Sequence, residues 1–141
     1  MLNRTLFPIF SGAVNKGIGV DLLLDFLVAF GPCPADLPLP VAHKEGSDED
    51  VAIVPTDEGP LAAVVFKTIS ESVGDLSFVR VFSGALKSGE DVFNTSRRAN
   101  ERIGQIYSMN GGQREDMPAI GAGDIGALIK LKDTHTGNTL C

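Results

Sequence analysis

The sequence predicts a mainly β domain, a sandwich or a small closed antiparallel barrel, preceded by a short strand–loop–helix unit of the α/β type. Two observations favour this class. Sixteen glycines and eight prolines among 141 residues indicate many turns rather than a helical bundle. After residue 60, short β-prone runs recur between turn sequences, a spacing typical of sandwiches and barrels. A closed barrel would also leave no sheet edge exposed.

The first segment combines a short apolar run with an apolar helix. Leu6–Phe10 predicts a buried strand, the residues up to Gly19 a loop, and Val20–Phe30 a helix that is apolar on nearly every side. Gly31 is expected in the left-handed conformation at the helix end, and Pro32 prevents continuation. Since strand–loop–helix is half of an α/β unit, we expect a remnant of a preceding domain.

The second segment, from Pro32 to Pro60, carries most of the negative charge. Residues 41–60 contain one lysine against six carboxylates, whereas residues 61–141 contain nine basic and nine acidic side chains, and the whole chain has a formal net charge of −6. Together with the prolines, this predicts a linker and a solvated acidic loop. The charge argues against broad nucleic-acid binding and leaves room for a local basic patch.

The third segment predicts six short strands and the start of a seventh. They are Leu61–Ser70, Leu76–Ser83, Asp91–Thr95, Glu101–Met109, Met117–Ile120 and Ile125–Leu131, followed by Thr139–Cys141. Glycine, asparagine and aspartate between these runs are typical turn residues.

Several classes of protein are excluded by composition. No apolar run approaches the ~18 residues of a membrane span. Cys33 and Cys141 do not form a disulfide framework, so a reducing cytoplasm is the expected location. His43 and His135 share no metal-ligand spacing with them, and no nucleophile or paired acid accompanies His135, so we expect neither a metal site nor catalysis. Asp124 is expected to order a turn.

Arg80 lies between Phe78 and Phe82 at a period of two, so the three side chains share one strand face. One interpretation is an arginine held on an aromatic platform to meet RNA or a neighbouring domain. The alternative is an arginine that extends from the core to a local carboxylate such as Asp75 or Glu90.

Further basic residues are predicted in two hairpin turns. Arg97, Arg98 and Arg102 are expected to cluster at one turn, where compact arginine groups suit phosphate binding. A solvated turn neutralised by acids such as Glu101 is the alternative. Lys87 in a second turn is a further candidate for RNA contact.

Longer stretches carry a family resemblance. Those of the third segment are Ala63–Lys67, Gly74–Gly89, Arg102–Tyr107, Gly121–Ile125 and Leu131–Cys141. In order and spacing they resemble domain II of translational GTPases, within them the bacterial elongation factor G family. In the first segment, Phe7–Gly12 and Gly19–Asp25 are similar to the last strand, guanine loop and final helix of that family's GTP-binding domain.

The resemblance implies an internal fragment: residues 1–36 from a GTP-binding domain, 37–60 a linker, and 61–141 the domain II barrel. It also implies a parent protein that uses GTP and Mg²⁺, and a barrel that braces the GTPase domain and contacts small-subunit ribosomal RNA. The chain has no G-x-x-x-x-G-K-[ST] phosphate loop and no Asn-Lys-x-Asp motif, so it is not expected to bind or hydrolyse GTP by itself.

The guanine loop departs from the family pattern Gly-Ser-Ala-x-Lys. It contains Gly12, Ala13, Val14 and Lys16, so the serine hydroxyl is lost while the Val14 N–H can still reach a guanine carbonyl. Two alternatives to an elongation role remain open: a ribosomal-protection or release-factor-recycling GTPase, and a free-standing RNA-binding or ligand-binding barrel.

Overall fold

The computed structural model describes residues 5–44, 46–72 and 74–141, and the chain divides into two units, Met1–Pro38 and Leu39–Cys141. The first unit contains a 3-10 helix at Val14–Lys16, the helix α1 at Val20–Phe30 and a second 3-10 helix at Pro34–Asp36. The predicted helix is therefore confirmed. Among the described residues, no helix is long and apolar enough to cross a membrane.

The predicted strand at Leu6–Phe10 is wrong. These residues adopt no regular structure, and Ile9 is 95% exposed. A strand needs a neighbour to pair its backbone N–H and C=O groups. The first unit offers only an isolated bridge between Ala13 and Ile18 in its described part, and Pro8 lacks the N–H that a ladder would use.

The end of α1 also differs from the prediction. Gly31 has φ −69° and ψ 132°, an extended rather than left-handed conformation, and its N–H donates to the Leu27 carbonyl at 2.8 Å. The reason lies in the next residue, because a proline restricts its predecessor to extended conformations. The left-handed glycine is instead Gly19, with φ 79°, at the N-terminus of the helix.

The second unit begins with a short hairpin where an irregular loop was expected. Strand β1, Val41–His43, pairs antiparallel with β2, Asp50–Ala52. The His43 Nδ1 atom lies 3.0 Å from Asp50 Oδ1 across this pair. Of the acidic residues, Asp48 and Glu49 lie in the connection of this hairpin, Asp50 begins β2, and Asp57 and Glu58 follow the hairpin.

Ten further strands make the rest of the second unit mainly β, as predicted. They are β3 Ala62–Glu71, β4 Gly74–Ser83, β5 Leu86–Lys87, β6 Asp91–Asn94, β7 Ala99–Arg102, β8 Ile106–Asn110, β9 Gln113–Met117, β10 Ala119–Ile120, β11 Ile125–Ile129 and β12 Thr139–Leu140. Eight form an antiparallel sheet in the order β7-β6-β12-β3-β4-β11-β8-β9, and β5 pairs with β10. This pairing leaves β7 and β9 at the two ends, so it does not by itself confirm a closed barrel.

Two predicted strands are each divided in two. The run Glu101–Met109 separates into β7 and β8, because Ile103 leaves its partner strand and exchanges backbone hydrogen bonds with Gly89 and Glu90. The run Met117–Ile120 separates at Pro118, which has no N–H for the ladder. The Pro118 carbonyl instead accepts the Ser88 N–H at 2.9 Å.

Inward-facing aliphatic side chains form the core of the second unit. Its buried members are Ala63, Val65, Val79, Val81, Leu86, Val92, Ile103, Ile106, Ile120, Leu128 and Leu140. On β4 the inward residues alternate with Phe78, Arg80 and Phe82, which are half-buried on the opposite face. This alternation places the three predicted platform residues on one face.

Helix α1 supplies the first testable prediction. None of its residues is buried, and Val28 is 87% exposed, although most of its side chains are apolar. We expect the chain to self-associate through this helix, because exposed apolar patches of this kind are sites of association. Replacing Leu24 and Val28, four residues apart on one face, with lysine should weaken association at least tenfold, since each buried side chain contributes about 1.5–3 kcal/mol.

Sedimentation equilibrium over a concentration series measures this effect. Asn15→Lys, an exposed change outside α1, serves as the control for added charge. A wild-type chain that remains monomeric at all concentrations would contradict the prediction.

Candidate functional site

The connection between β6 and β7 presents two arginines to solvent. Residues 95–98 form this turn, here called the arginine turn, and Arg97 and Arg98 are both exposed. Arg98 has φ 54°, an uncommon conformation for a residue with a side chain. The Arg97 N–H donates to Asn94 Oδ1 at 3.0 Å, which fixes the start of the turn.

Arg102 does not belong to the arginine turn, contrary to the predicted three-residue cluster. It pairs opposite Asp91 at the other end of the hairpin, and its Nη1 lies 2.8 Å from Asp91 Oδ2. Three strand residues lie between it and Arg98, which separates the two Cα atoms by about 14 Å, because a strand advances roughly 3.4 Å per residue. The carboxylate that neutralises Arg102 is thus Asp91 rather than Glu101.

Lys87 and Arg102 lie at the same end of the hairpin. Lys87 is exposed on β5, and two residues later the Gly89 N–H donates to the Ile103 carbonyl at 2.9 Å. A Cβ atom at Gly89 would lie 4.0 Å from Arg102 Nη2. The five basic candidates therefore do not form one cluster: Arg97 and Arg98 share the arginine turn, Arg102 pairs with Asp91, and Lys87 and Arg80 lie on other strands.

Arg80 lies against an aromatic ring. Its Cζ is 4.9 Å from the centroid of Phe82, and its Nε is buried with no hydrogen-bond partner in the described part of the chain. The proposed local carboxylate Asp75 accepts a hydrogen bond from the Ser70 hydroxyl instead, at 2.8 Å. The geometry therefore favours the aromatic platform over an ion pair with Asp75.

A buried carboxylate lies on β7, three residues after Arg98. Glu101 is only 3% exposed, and its Oε1 accepts the Lys132 N–H at 2.9 Å. Its Oε2 accepts the Asp133 N–H at 2.9 Å and the Thr134 hydroxyl at 2.8 Å. Burial by itself raises the pKa of Glu101, but these hydrogen bonds and the Lys132 charge outweigh it and hold the pKa below its ordinary value.

Asn94 joins this carboxylate to the arginine turn. It is completely buried, and its Nδ2 lies 3.0 Å from Thr134 Oγ1 and 3.1 Å from Asn138 Oδ1. The prediction from sequence missed Asn94 and considered Glu101 only as an acid that neutralises the arginines. The available signal was their register, because each occupies an inward position of a short strand where an aliphatic residue is usual.

The guanine-loop residues form a tight turn in the first unit. Ala13 and Ile18 exchange two backbone hydrogen bonds, of 3.0 and 3.1 Å. A Cβ atom on Gly12 would lie 2.7 Å from the Ile18 carbonyl oxygen, so only glycine fits there. Within the described residues, the Val14 N–H donates to no backbone carbonyl, and Lys16 is exposed. This leaves the Val14 N–H among the backbone donors of the loop that make no backbone hydrogen bond in the described part of the chain.

Two aspartates stabilise turns by accepting backbone hydrogen bonds. Asp124 Oδ1 accepts the Ile125 N–H at 2.8 Å, which confirms its predicted role. Asp57, which the sequence did not single out, accepts the Ala122 N–H at 2.7 Å.

A cavity of about 550 Å³ between the β1–β2 hairpin and the main sheet was also missed. Its apolar lining includes Val51, Ile53 and Leu61, with Lys44 and Arg98 contributing positive charge. It could not be foreseen because the hairpin itself was not predicted.

Comparisons with known proteins agree with this architecture. The family model of elongation factor Tu domain 2 matches residues 74–141. Elongation factor G of Granulibacter bethesdensis is 42% identical over 143 residues, which covers 99% of this chain and 21% of that protein. The chain therefore spans about a fifth of the length of this curated relative.

Glu101 supplies the second prediction. Glu101→Gln should lower the free energy of unfolding at pH 7 by about 1–3 kcal/mol, because the new amide leaves at least one buried donor unpaired. Since the folded-state pKa of Glu101 is lowered, its stabilising effect is present above its unfolded value and is lost as pH falls through the folded value. The gap between wild type and variant should therefore narrow below about pH 4.

Urea unfolding at a series of pH values measures this gap. The exposed Glu90→Gln is the matched control and should change stability by less than about 0.5 kcal/mol. Equal stability of wild type and Glu101→Gln at neutral pH would contradict the prediction.

Proposed function

Because the chain is elongation factor G-like, we propose that it acts within a translational GTPase that drives ribosomal translocation in the cytoplasm. In this proposal residues 1–36 close a GTP-binding domain, residues 37–60 connect it, and residues 61–141 form domain II. The partners are the small ribosomal subunit and the adjacent domains of the longer protein.

The arginine turn is the observation that carries the ribosome contact. The ion pairs of the described residues join His43 to Asp50, Arg102 to Asp91 and Arg114 to Glu71, and they include neither Arg97 nor Arg98. Two exposed guanidinium groups on an ordered turn suit bidentate hydrogen bonds to phosphate oxygens. We therefore assign the arginine turn to contact with ribosomal RNA.

The other basic candidates receive lesser roles. Arg102 already has Asp91 as a partner, so a phosphate would have to compete with that carboxylate. Lys87 is exposed and can add a point charge. Arg80 lies on Phe82 with its Nε buried, which suits contact with RNA or with a neighbouring domain at close range.

We also propose that the second unit closes into a barrel. Ser88 bonds to Pro118 beside β10, and Gly89 and Glu90 bond to Ile103 just after β7, at distances of 2.8–2.9 Å. These bonds connect the two ends of the eight-stranded order through β5 and β10. A closed frame would be rigid enough to brace a GTP-binding domain.

GTP and Mg²⁺ belong to the longer protein in this proposal. The loop of Gly12, Ala13, Val14 and Lys16 would contribute the Val14 N–H toward the guanine carbonyl. GTP when bound supplies a γ-phosphate whose loss switches the protein between conformations. The residues that hold phosphate and metal would lie outside this chain, because its sequence has no phosphate loop.

The RNA contact is tested with Arg97→Gln/Arg98→Gln and with Arg102→Gln as the matched control. The double variant should weaken binding to purified small ribosomal subunits, and the log–log salt slope should fall by up to about 0.7–0.9 per lost phosphate contact. Arg102→Gln should change the slope less, because Asp91 already neutralises that charge. Biolayer interferometry between 50 and 200 mM salt measures both values.

Equal slopes for wild type and the double variant would remove the arginine turn from the interface and leave Arg80 and Lys87 as candidates. Loss of the Arg102 ion pair itself should cost only about 0–1 kcal/mol of stability, since the pair is exposed.

The nucleotide assignment is tested by titration calorimetry of the 141-residue chain with GTP and Mg²⁺. We expect no binding in the micromolar range, because the backbone donors of the guanine loop cannot replace the contacts of a phosphate loop. Inorganic phosphate with Mg²⁺ serves as the control for non-specific anion binding. Micromolar affinity for GTP would overturn the assignment.

A further inference from the structure

A line of hydrogen bonds leads from the buried carboxylate to the arginine turn. Thr134 Oγ1 donates to Glu101 Oε2 at 2.8 Å, Asn94 Nδ2 donates to Thr134 Oγ1 at 3.0 Å, and the Arg97 N–H donates to Asn94 Oδ1 at 3.0 Å. We infer that Thr134 is a positioning residue for the arginine turn. Its hydroxyl donates to Glu101 and therefore can only accept from Asn94, which fixes the orientation of the Asn94 amide. The functional consequence rests on the proposed RNA contact.

The chemistry of each group fixes the direction. An ionised carboxylate only accepts hydrogen bonds, and both oxygens of Glu101 already accept backbone N–H groups from Lys132 and Asp133. The single hydrogen of the Thr134 hydroxyl must therefore point to Glu101. That hydroxyl has no second hydrogen, so toward Asn94 it can act only as an acceptor.

Asn94 is consequently locked in one orientation. Its NH₂ group must face Thr134, and the same group also lies 3.1 Å from Asn138 Oδ1 and 3.4 Å from the Asp133 carbonyl oxygen, so Thr134 supplies the nearest of three acceptors. The carbonyl end of the amide is then the end that faces the Arg97 N–H. A flipped amide would turn its oxygen toward the oxygens of Thr134, Asn138 and Asp133 and its NH₂ toward the Arg97 N–H, losing these bonds at a fully buried site.

This arrangement ties the arginine turn to residues 132–134. Both arginine side chains are long and exposed, so their phosphate affinity depends on how well the backbone beneath them is held. Glu101 holds Lys132, Asp133 and Thr134, and Thr134 holds Asn94. Replacing Thr134 should therefore alter how firmly the backbone of the arginine turn is held, although the proposal includes no contact between Thr134 and RNA.

The test compares Thr134→Val, which removes the hydroxyl at nearly constant shape, with Thr134→Ser, which retains it. Hydrogen exchange by NMR should show the Arg97 amide opening about fivefold or more faster in Thr134→Val, as expected for one lost hydrogen bond of about 1 kcal/mol. Thr134→Ser should match wild type. The matched control is Thr136→Val, whose hydroxyl in the same loop bonds to Thr68 and not to Asn94.

The Val79 amide in the core is the reference for global unfolding. Arg97 exchange that rises only in proportion to Val79 exchange would indicate lost stability rather than lost positioning and would overturn the inference. Should Thr134→Val fail to fold, Glu101→Gln tests the same direction. Its amide can donate to Thr134 and free the hydroxyl hydrogen, so Thr134 no longer fixes the Asn94 amide, and only Asn138 Oδ1 and the Asp133 carbonyl oppose a flip.

Binding to small ribosomal subunits separates the inference from the function on which it rests. Faster Arg97 exchange with weaker binding in Thr134→Val, both restored in Thr134→Ser, supports the inference. Faster exchange with unchanged binding, while Arg97→Gln/Arg98→Gln does weaken binding, overturns the functional role of Thr134. Faster exchange while neither variant affects binding overturns the RNA contact and supports only the positioning of the turn.

Discussion

The burial of the Glu101 carboxylate is the constraint on which the candidate site depends. A charge that is nearly withdrawn from water must be surrounded by donors, and Glu101 obtains them from Lys132, Asp133 and Thr134. These donors come from one short stretch after β11, so the requirement of a single side chain fixes that backbone. The same stretch then supplies the acceptor that orients Asn94, and Asn94 in turn orients the arginine turn.

Local sequence patterns predicted much of the fold. The predictions failed where a following residue or a distant segment determined the backbone conformation. Helix α1 and most strands of the second unit followed from apolar periodicity and turn residues. The prediction of a left-handed Gly31 was wrong, because Pro32 restricts the preceding residue to extended conformations. The run Glu101–Met109 divided because Ile103 bonds to the distant segment at Gly89, a pairing that no local pattern contains.

The candidate site shows the same division between local and long-range information. The sequence identified Arg97 and Arg98 because they are adjacent and lie between turn-forming residues. It wrongly added Arg102, because nearness along the chain does not show that a hairpin places that residue opposite Asp91. The role of Asn94 and the buried role of Glu101 remained unrecognised, because the acceptors of the Asn94 NH₂ group and the donors to Glu101 are 31 to 44 residues away. Sequence spacing therefore identified the two arginines of the turn. The residues that hold the turn in place became visible only in the tertiary structure.

The distribution of charge determines what the proposed RNA contact can contribute. Residues 61–141 carry no net charge, and the whole chain is negative, so long-range attraction to RNA is weak. Two arginines displace few counterions and cannot supply high affinity alone. Their value lies in position, because phosphate contacts set the register of a protein on nucleic acid. A turn with this task must be held rigidly, and buried hydrogen bonds hold it better than additional surface charge would.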